Sequence, residues 1–227
     1  MSLKKSLLLT SLVLSLPSYG GENASTIDNM LAIKNNPAIL QAAIKAGKER
    51  ALLCGYCHGK NGNSVKDTIP NLAQQNPEYL LKQFQLFASG ERKNYVMEQL
   101  ASMLNQQERI NIALYFSSQA VKPAAQDELT DGSVDSSIGH LVEKSSESFF
   151  AGKHKYQSLC FACHGESGEG NKDLPRLAGQ KKAFLVKTLN GFKRGGGSRA
   201  SSPMVKIMKA VNDTQIEPLA RYISNMR

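Results

Sequence analysis

Cys54-Gly55-Tyr56-Cys57-His58 and Cys160-Phe161-Ala162-Cys163-His164 decide how this chain is read. Between them they hold all four cysteines and two of the four histidines in 227 residues. C-x-x-C-H is the attachment signature of c-type haem. Its two thiols, a helical turn apart, add across the porphyrin vinyl groups, and the histidine that follows becomes the proximal iron ligand. Four thiols could instead bind zinc, but structural zinc gathers its ligand pairs within one small module, and here each pair sits in a different half. Redox-active dithiols of the thioredoxin kind follow the strand of a βαβ pattern, which is missing. Neither alternative accounts for a histidine after the second cysteine twice. The motifs therefore predict two covalently attached haem c groups with iron, one on Cys54 and Cys57 and one on Cys160 and Cys163. His58 and His164 are the expected proximal ligands.

Outward toward the N-terminus, residues 1–20 read as an export signal peptide. Lys4 and Lys5 precede a short apolar run over 6–16, Pro17 ends it, and Ser18 and Gly20 offer small residues for cleavage before Gly21. The run is too short for a membrane span, which takes about 20 apolar residues. No cysteine near the cleavage point offers a lipid anchor. A soluble protein exported to the periplasm is expected, where covalent haem is attached. The chain is basic, with 28 Lys and Arg against 19 Asp and Glu, and the leader removes two lysines from that excess. Such a charge suits nucleic acid, an anionic membrane surface or an acidic docking face. No nucleic-acid module is present, and no basic run is interleaved with aromatics. A solvated basic surface is favoured, acidic redox proteins come second, and membrane association is at most peripheral.

Residues 21–36 are polar and expected to be loosely ordered. Pro37 suits the first position of a helix, and Ile39, Leu40, Ala43, Ile44 and Ala51 carry an apolar stripe into Cys54. The matching helix is expected to begin near 146–148 and to bring Phe149, Phe150 and Tyr156 toward Cys160. The halves align further, as a duplicated unit. Pro70-Asn71-Leu72-Ala73-Gln74-Gln75 matches Pro175-Arg176-Leu177-Ala178-Gly179-Gln180, and Tyr79 to Lys82, Phe87 and Gly90 match Phe184 to Lys187, Phe192 and Gly195. An all-α chain follows, with a first domain over 37–117, a polar linker over 118–145 and a second domain over 146–227. Each unit is too small for a large core; haem would supply the apolar centre, and the haem-free chain is expected to fold poorly.

The alignment also selects a sixth iron ligand. Met97 stands seven residues before Leu104 and Met204 seven before Val211, each followed by Asn105 or Asn212. Asn105 with Glu108 and Asn212 with Gln215 repeat a helix-start pattern. A thioether in a loop just before a terminal helix can reach over the haem face, where it favours ferrous iron. Met103 and Met208 compete for the role; their alternative is core gap-filling. Met30 and Met226 lack repeat partners and read as ordinary, and His140 and His154 read as solvent-exposed. Pro70 and Pro175 either make turns or lend a carbonyl to the proximal imidazole N–H.

With both C-x-x-C-H motifs, the P-x-L-A-[GQ]-Q segments and the methionine-led terminal helices, the chain resembles the diheme cytochrome c4 family over residues 37–118 and 146–227. The resemblance implies two tandem class-I cytochrome c folds related by a pseudo-two-fold axis, with haems close enough for internal electron transfer. It also implies His/Met ligation by His58, Met97, His164 and Met204, and shuttling of electrons from an upstream donor toward a membrane-bound terminal oxidase. Three departures stand out. Gln74 replaces the expected glycine, the linker is long, and Pro218 sits where it should kink the last helix. The leading function is thus a respiratory electron carrier with no catalysis. The alternatives are the cytochrome subunit of a flavoprotein dehydrogenase of the sulfide-oxidising type, and a diheme peroxidase, which needs an open iron position beside acid/base residues. A redox sensor would need an output domain that is missing.

Overall fold

The computed structural model describes residues 21–122 and 136–227, side chains of 21–24, 136–145 and 198 excepted. The expected leader and the centre of the expected linker lie outside them. The regular elements among the described residues are helices, joined by turns and loops, with one isolated bridge between Asn171 and Leu174. Each half builds its own apolar core.

In the first half α1 (Gly21–Lys34) leads into α2 (Pro37–Arg50), whose start is capped by the Asn36 side chain accepting from Ile39 N at 3.3 Å. The segment expected to be loosely ordered is therefore a helix, and the reason is packing. Thr26, Met30 and Ile33 fall on one face and are buried, and the two apolar residues join the first core. The Gln106 side chain donates to the Thr26 hydroxyl. The short α3 (Gly55–His58) carries the first motif, followed by α4 (Pro77–Ala88), α5 (Tyr95–Ser102) and α6 (Gln106–Ser117). Asn105 and Glu108 cap α6 reciprocally: Glu108 N donates to Asn105 Oδ1 and Asn105 N to Glu108 Oε2, each at 2.9 Å. Leu81, Ile110, Ile112, Ala113 and Phe116 form the centre of this core.

The second half opens with α7 (Ser136–Lys155), which starts ten residues ahead of the expected 146. One π turn (Tyr156–Cys160) passes it into α8 (Phe161–His164), and α9 (Lys182–Lys193), α10 (Met204–Ile207) and α11 (Asp213–Asn225) follow. The last helix continues past Pro218, with Leu219, Ala220 and Ile223 buried; packing outweighs the lost backbone hydrogen bond.

A glycine sets each helix crossing beside a motif. A Cβ on Gly47 of α2 would stand 2.0 Å from the Asn111 carbonyl oxygen of α6. A Cβ on Gly152 of α7 would stand 2.1 Å from the Pro218 oxygen of α11. Gly47 precedes Cys54 by seven residues, whereas Gly152 precedes Cys160 by eight. The extra residue falls where α7 passes through the π turn, the usual way a helix absorbs one insertion. The motif thereby keeps its place relative to the crossing. Tyr156, wholly buried in this turn, donates its hydroxyl to Gly165 O at 2.6 Å.

The halves meet on their aligned P-x-L-A-x-Q segments. Asn71 N donates to Gln180 Oε1 at 2.7 Å, and Gln180 Nε2 to Asn71 O at 3.1 Å. In the reverse sense Arg176 N donates to Gln75 Oε1 at 2.7 Å, and Gln75 Nε2 to Arg176 O at 2.9 Å. Asn76 reaches Leu174 O at 2.7 Å, and Lys82 pairs with Asp173 at 2.7 Å. Before each glutamine the chain turns with positive φ, 69° at Gly179 and 56° at Gln74. The glutamine thus adopts the left-handed backbone conformation that glycine takes at the aligned position.

Candidate haem sites

α2 and α7 each deliver a Cys-x-x-Cys-His turn, and no disulfide links the two cysteines within either turn. One thiol of each pair faces inward, Cys54 half-buried and Cys160 buried, while Cys57 and Cys163 are exposed. Burial pushes the Cys54 thiol up, and that of Cys160 up to about 11. Among the described residues no group of three or more His, Cys, Asp or Glu side chains gathers as a metal site, so the two thiol pairs do not assemble around a zinc ion.

Both motif histidines are buried. His58 Nδ1 lies 2.9 Å from Pro70 O and His164 Nδ1 lies 3.0 Å from Pro175 O. A carbonyl can only accept, so Nδ1 carries the proton in each ring and Nε2 presents its lone pair. Burial lowers both imidazole pKa values, against the opposing pull of the proline carbonyls. The rings are held neutral, the form that binds iron. Of the two roles open to Pro70 and Pro175, the carbonyl acceptor is the one observed.

Met97 is the third residue of α5 and Met204 the first of α10; both are half-buried and pack on the core of their own half. They sit in short helices rather than in the expected loops. Asn94 caps the first of these, its side chain accepting from Met97 N at 3.1 Å. Met208 fills the second core at 1% exposure, as a gap-filler should, but Met103 does not: it is 63% exposed. Met30 is buried in the first core, Met226 packs on the second and His154 is exposed; the His140 side chain lies outside the described residues.

The surroundings suit a porphyrin. The buried Nε atoms of Arg109 and Arg176 have no protein partner, and Arg176 directly follows the acceptor Pro175. Such donors match acidic substituents on a haem rim. Arg92 stacks over Phe87 and Arg199 over the aligned Phe192, each at 4.4 Å. Burial, reinforced by the charge of Arg92, lowers Arg199 to about 10, against the opposing pull of Tyr79 of the first half.

A family profile described as Cytochrome c matches residues 150–227. Cytochrome c4 of Pseudomonas aeruginosa is 32% identical over 188 residues, which span 80% of this chain and 87% of that protein. This chain belongs to the cytochrome c4 family. The crystal structure of reduced recombinant cytochrome c4 from Pseudomonas stutzeri superposes with a TM-score of 0.62 at 31% identity, covering 81% of this chain and 98% of that one. A thiosulfate dehydrogenase electron acceptor of Stutzerimonas stutzeri is 28% identical over 181 residues, 78% of this chain and 80% of its own. As a cytochrome c4, the chain is built of tandem class-I cytochrome c folds, carries two haem c groups, and transfers electrons without being an enzyme.

Two pairs of residues escaped the sequence reading. Gly47 and Gly152 are small residues seven and eight positions before their motifs, an offset that hides the match. Gln75 and Gln180 end the aligned segments, but nothing in a linear pattern says that each reaches into the other half.

Proposed function

We propose that this cytochrome c4 carries electrons one at a time, in the periplasm, between an upstream respiratory donor and a membrane-bound terminal oxidase. In this reading the leader over 1–20 is removed, and two domains, the first taking in α1 and the second opening with α7, each hold one haem. Cys54 and Cys57, and Cys160 and Cys163, are the thioether anchors. His58 with Met97, and His164 with Met204, are the axial pairs.

Haem iron supplies a reversible one-electron couple; the chain supplies binding, orientation and environment. The thiol pairs fix each ring to its motif turn. The Pro70 and Pro175 carbonyls orient the imidazoles and strengthen them as donors. The methionine thioethers would favour the ferrous state and, with the imidazoles, would leave no iron position open to substrate. The observation that carries this reading is the duplicated His–Pro hydrogen bond, 2.9 and 3.0 Å, which leaves the Nε2 lone pair of each ring free to bind iron.

A second donor class has specific support: the relative described as a thiosulfate dehydrogenase electron acceptor makes a periplasmic dehydrogenase a reasonable source of electrons. The deciding experiment mixes the reduced holoprotein with oxidase-containing membranes, and separately with carbon monoxide. Rapid oxidation by membranes and slow carbon monoxide binding are expected. Fast carbon monoxide binding at one haem would favour the peroxidase alternative instead.

A further inference from the structure

Each half of the molecule grips, in the other half, the peptide group that holds the proximal histidine. The Pro70 carbonyl accepts from His58, and the N–H of the same peptide unit, that of Asn71, donates to Gln180 Oε1 at 2.7 Å. The Pro175 carbonyl accepts from His164, and the N–H of that unit, belonging to Arg176, donates to Gln75 Oε1 at 2.7 Å. Both glutamine oxygens are further fixed by the N–H of their own next residue, Lys181 or Asn76, each at 3.0 Å. Both carboxamide nitrogens donate back across the interface, so neither amide is free to turn. Asn71, Gln75 and Gln180 are buried.

A peptide unit is conjugated from N–H to C=O. An acceptor on its N–H draws electron density toward the carbonyl oxygen and strengthens the hydrogen bond which that oxygen accepts. A stronger bond to imidazole Nδ1–H makes Nε2 a better donor, which favours the ferric state. We infer that Gln180 and Gln75 are crossed positioning residues for electron transfer: Gln180 lowers the potential of the haem in the N-terminal half, and Gln75 that of the haem in the C-terminal half. The inference rests on His58 and His164 being the proximal ligands. It makes contact between the halves part of each haem's electronics, since parting the segments removes both acceptors at once.

The test is a haem-resolved redox titration of the holoprotein by NMR, for Gln180→Leu and Gln75→Leu. Gln180→Leu should shift the N-terminal haem about threefold toward the ferrous form at fixed solution potential, a rise of about 28 mV at 59 mV per tenfold for one electron. The C-terminal haem should stay in place. Gln75→Leu should give the mirror pattern. Equal movement of both haems, movement of the haem in the substituted half, or no movement overturns the inference. A purely structural interface predicts the first of these, since water would enter on both sides. The unsubstituted protein gives a second check that survives poor folding of the variants. The Asn71 and Arg176 amides, although outside any helix, should exchange slowly with solvent; fast exchange at either overturns the clasp. If the ligand reading itself were wrong, the wild-type spectrum would lack the imidazole Nδ1–H resonance of a coordinated histidine at one or both haems. Both resonances present with unmoved variant potentials would sink the clasp alone.

Discussion

Replacing Gly47 by alanine puts a methyl group where the α6 backbone already is. The new carbon would meet the Asn111 carbonyl oxygen at 2.0 Å and the Tyr115 Cβ at 2.9 Å. Comfortable contact between such atoms is about 3.5 Å or more, and a helix carbonyl cannot swing aside, so α2 must retreat from α6. Overpacking typically costs about 1–3 kcal/mol, and a backbone obstacle places this case at the upper end. Alanine returns about 1 kcal/mol of helix propensity, leaving a net loss of about 2 kcal/mol. Gly152→Ala, facing Pro218 O at 2.1 Å, should behave alike. Gly191 in α9 is the control, because a Cβ there meets nothing within 4 Å. The same substitution should there stabilise by up to about 1 kcal/mol. Thermal melts of the holoproteins followed by helical circular dichroism read the outcome. Gly47→Ala and Gly152→Ala should melt about 4–8 °C lower and Gly191→Ala about 2–4 °C higher. If the first two matched or exceeded the control, the close crossings would not be what seats the motifs.

Gln74→Gly should stabilise the first half by about 1 kcal/mol, since the left-handed backbone at φ 56° strains any residue with a Cβ; an unchanged urea midpoint would contradict this. Met97→Ala and Met204→Ala should each open one iron, detected as new carbon monoxide binding and a lower potential at that haem alone. Met208→Ala should instead leave ligation intact and cost about 2–5 kcal/mol of stability by emptying the second core. Glu108 has its carboxyl pKa held below the ordinary 4.5, first by the Arg50 hydrogen bond and then by the Asn105 backbone. Its folded value is depressed, so its contribution is full above about pH 4.5 and is lost as pH falls through that folded value. Glu108→Gln should flatten this acid limb in a plot of melting temperature against pH.

The residues proposed to attach haem stand out in sequence because covalent chemistry dictates their spacing. Two thiols and an imidazole must share one turn, and no packing context alters that. The terminal helices were legible for a similar reason: Asn105 with Glu108 is a local cap, and its hydrogen bonds form at the predicted residues. Residues 21–36 were misread because Thr26, Met30 and Ile33 are a thin stripe in a polar segment, and only the core they cover makes the helix worthwhile. Met103 was misread because exposure depends on how α5 is rolled against α4, a tertiary property. The π turn before Cys160 and the exchange of glutamines between halves depend on fitting one repeat against the other. Neither has a pattern within a single repeat. Gln74, by contrast, was noticed as a departure, and its positive φ gives that departure its physical meaning.

Every site proposed for this chain depends on iron porphyrin being bonded to both cysteine pairs. Intact-mass spectrometry of the denatured, exported protein addresses it most directly, because only covalent haem survives unfolding. A single species is expected that begins at Gly21, carries two haems and has no thiol open to alkylation. A colourless chain with four alkylatable cysteines, or one haem in place of two, would contradict it.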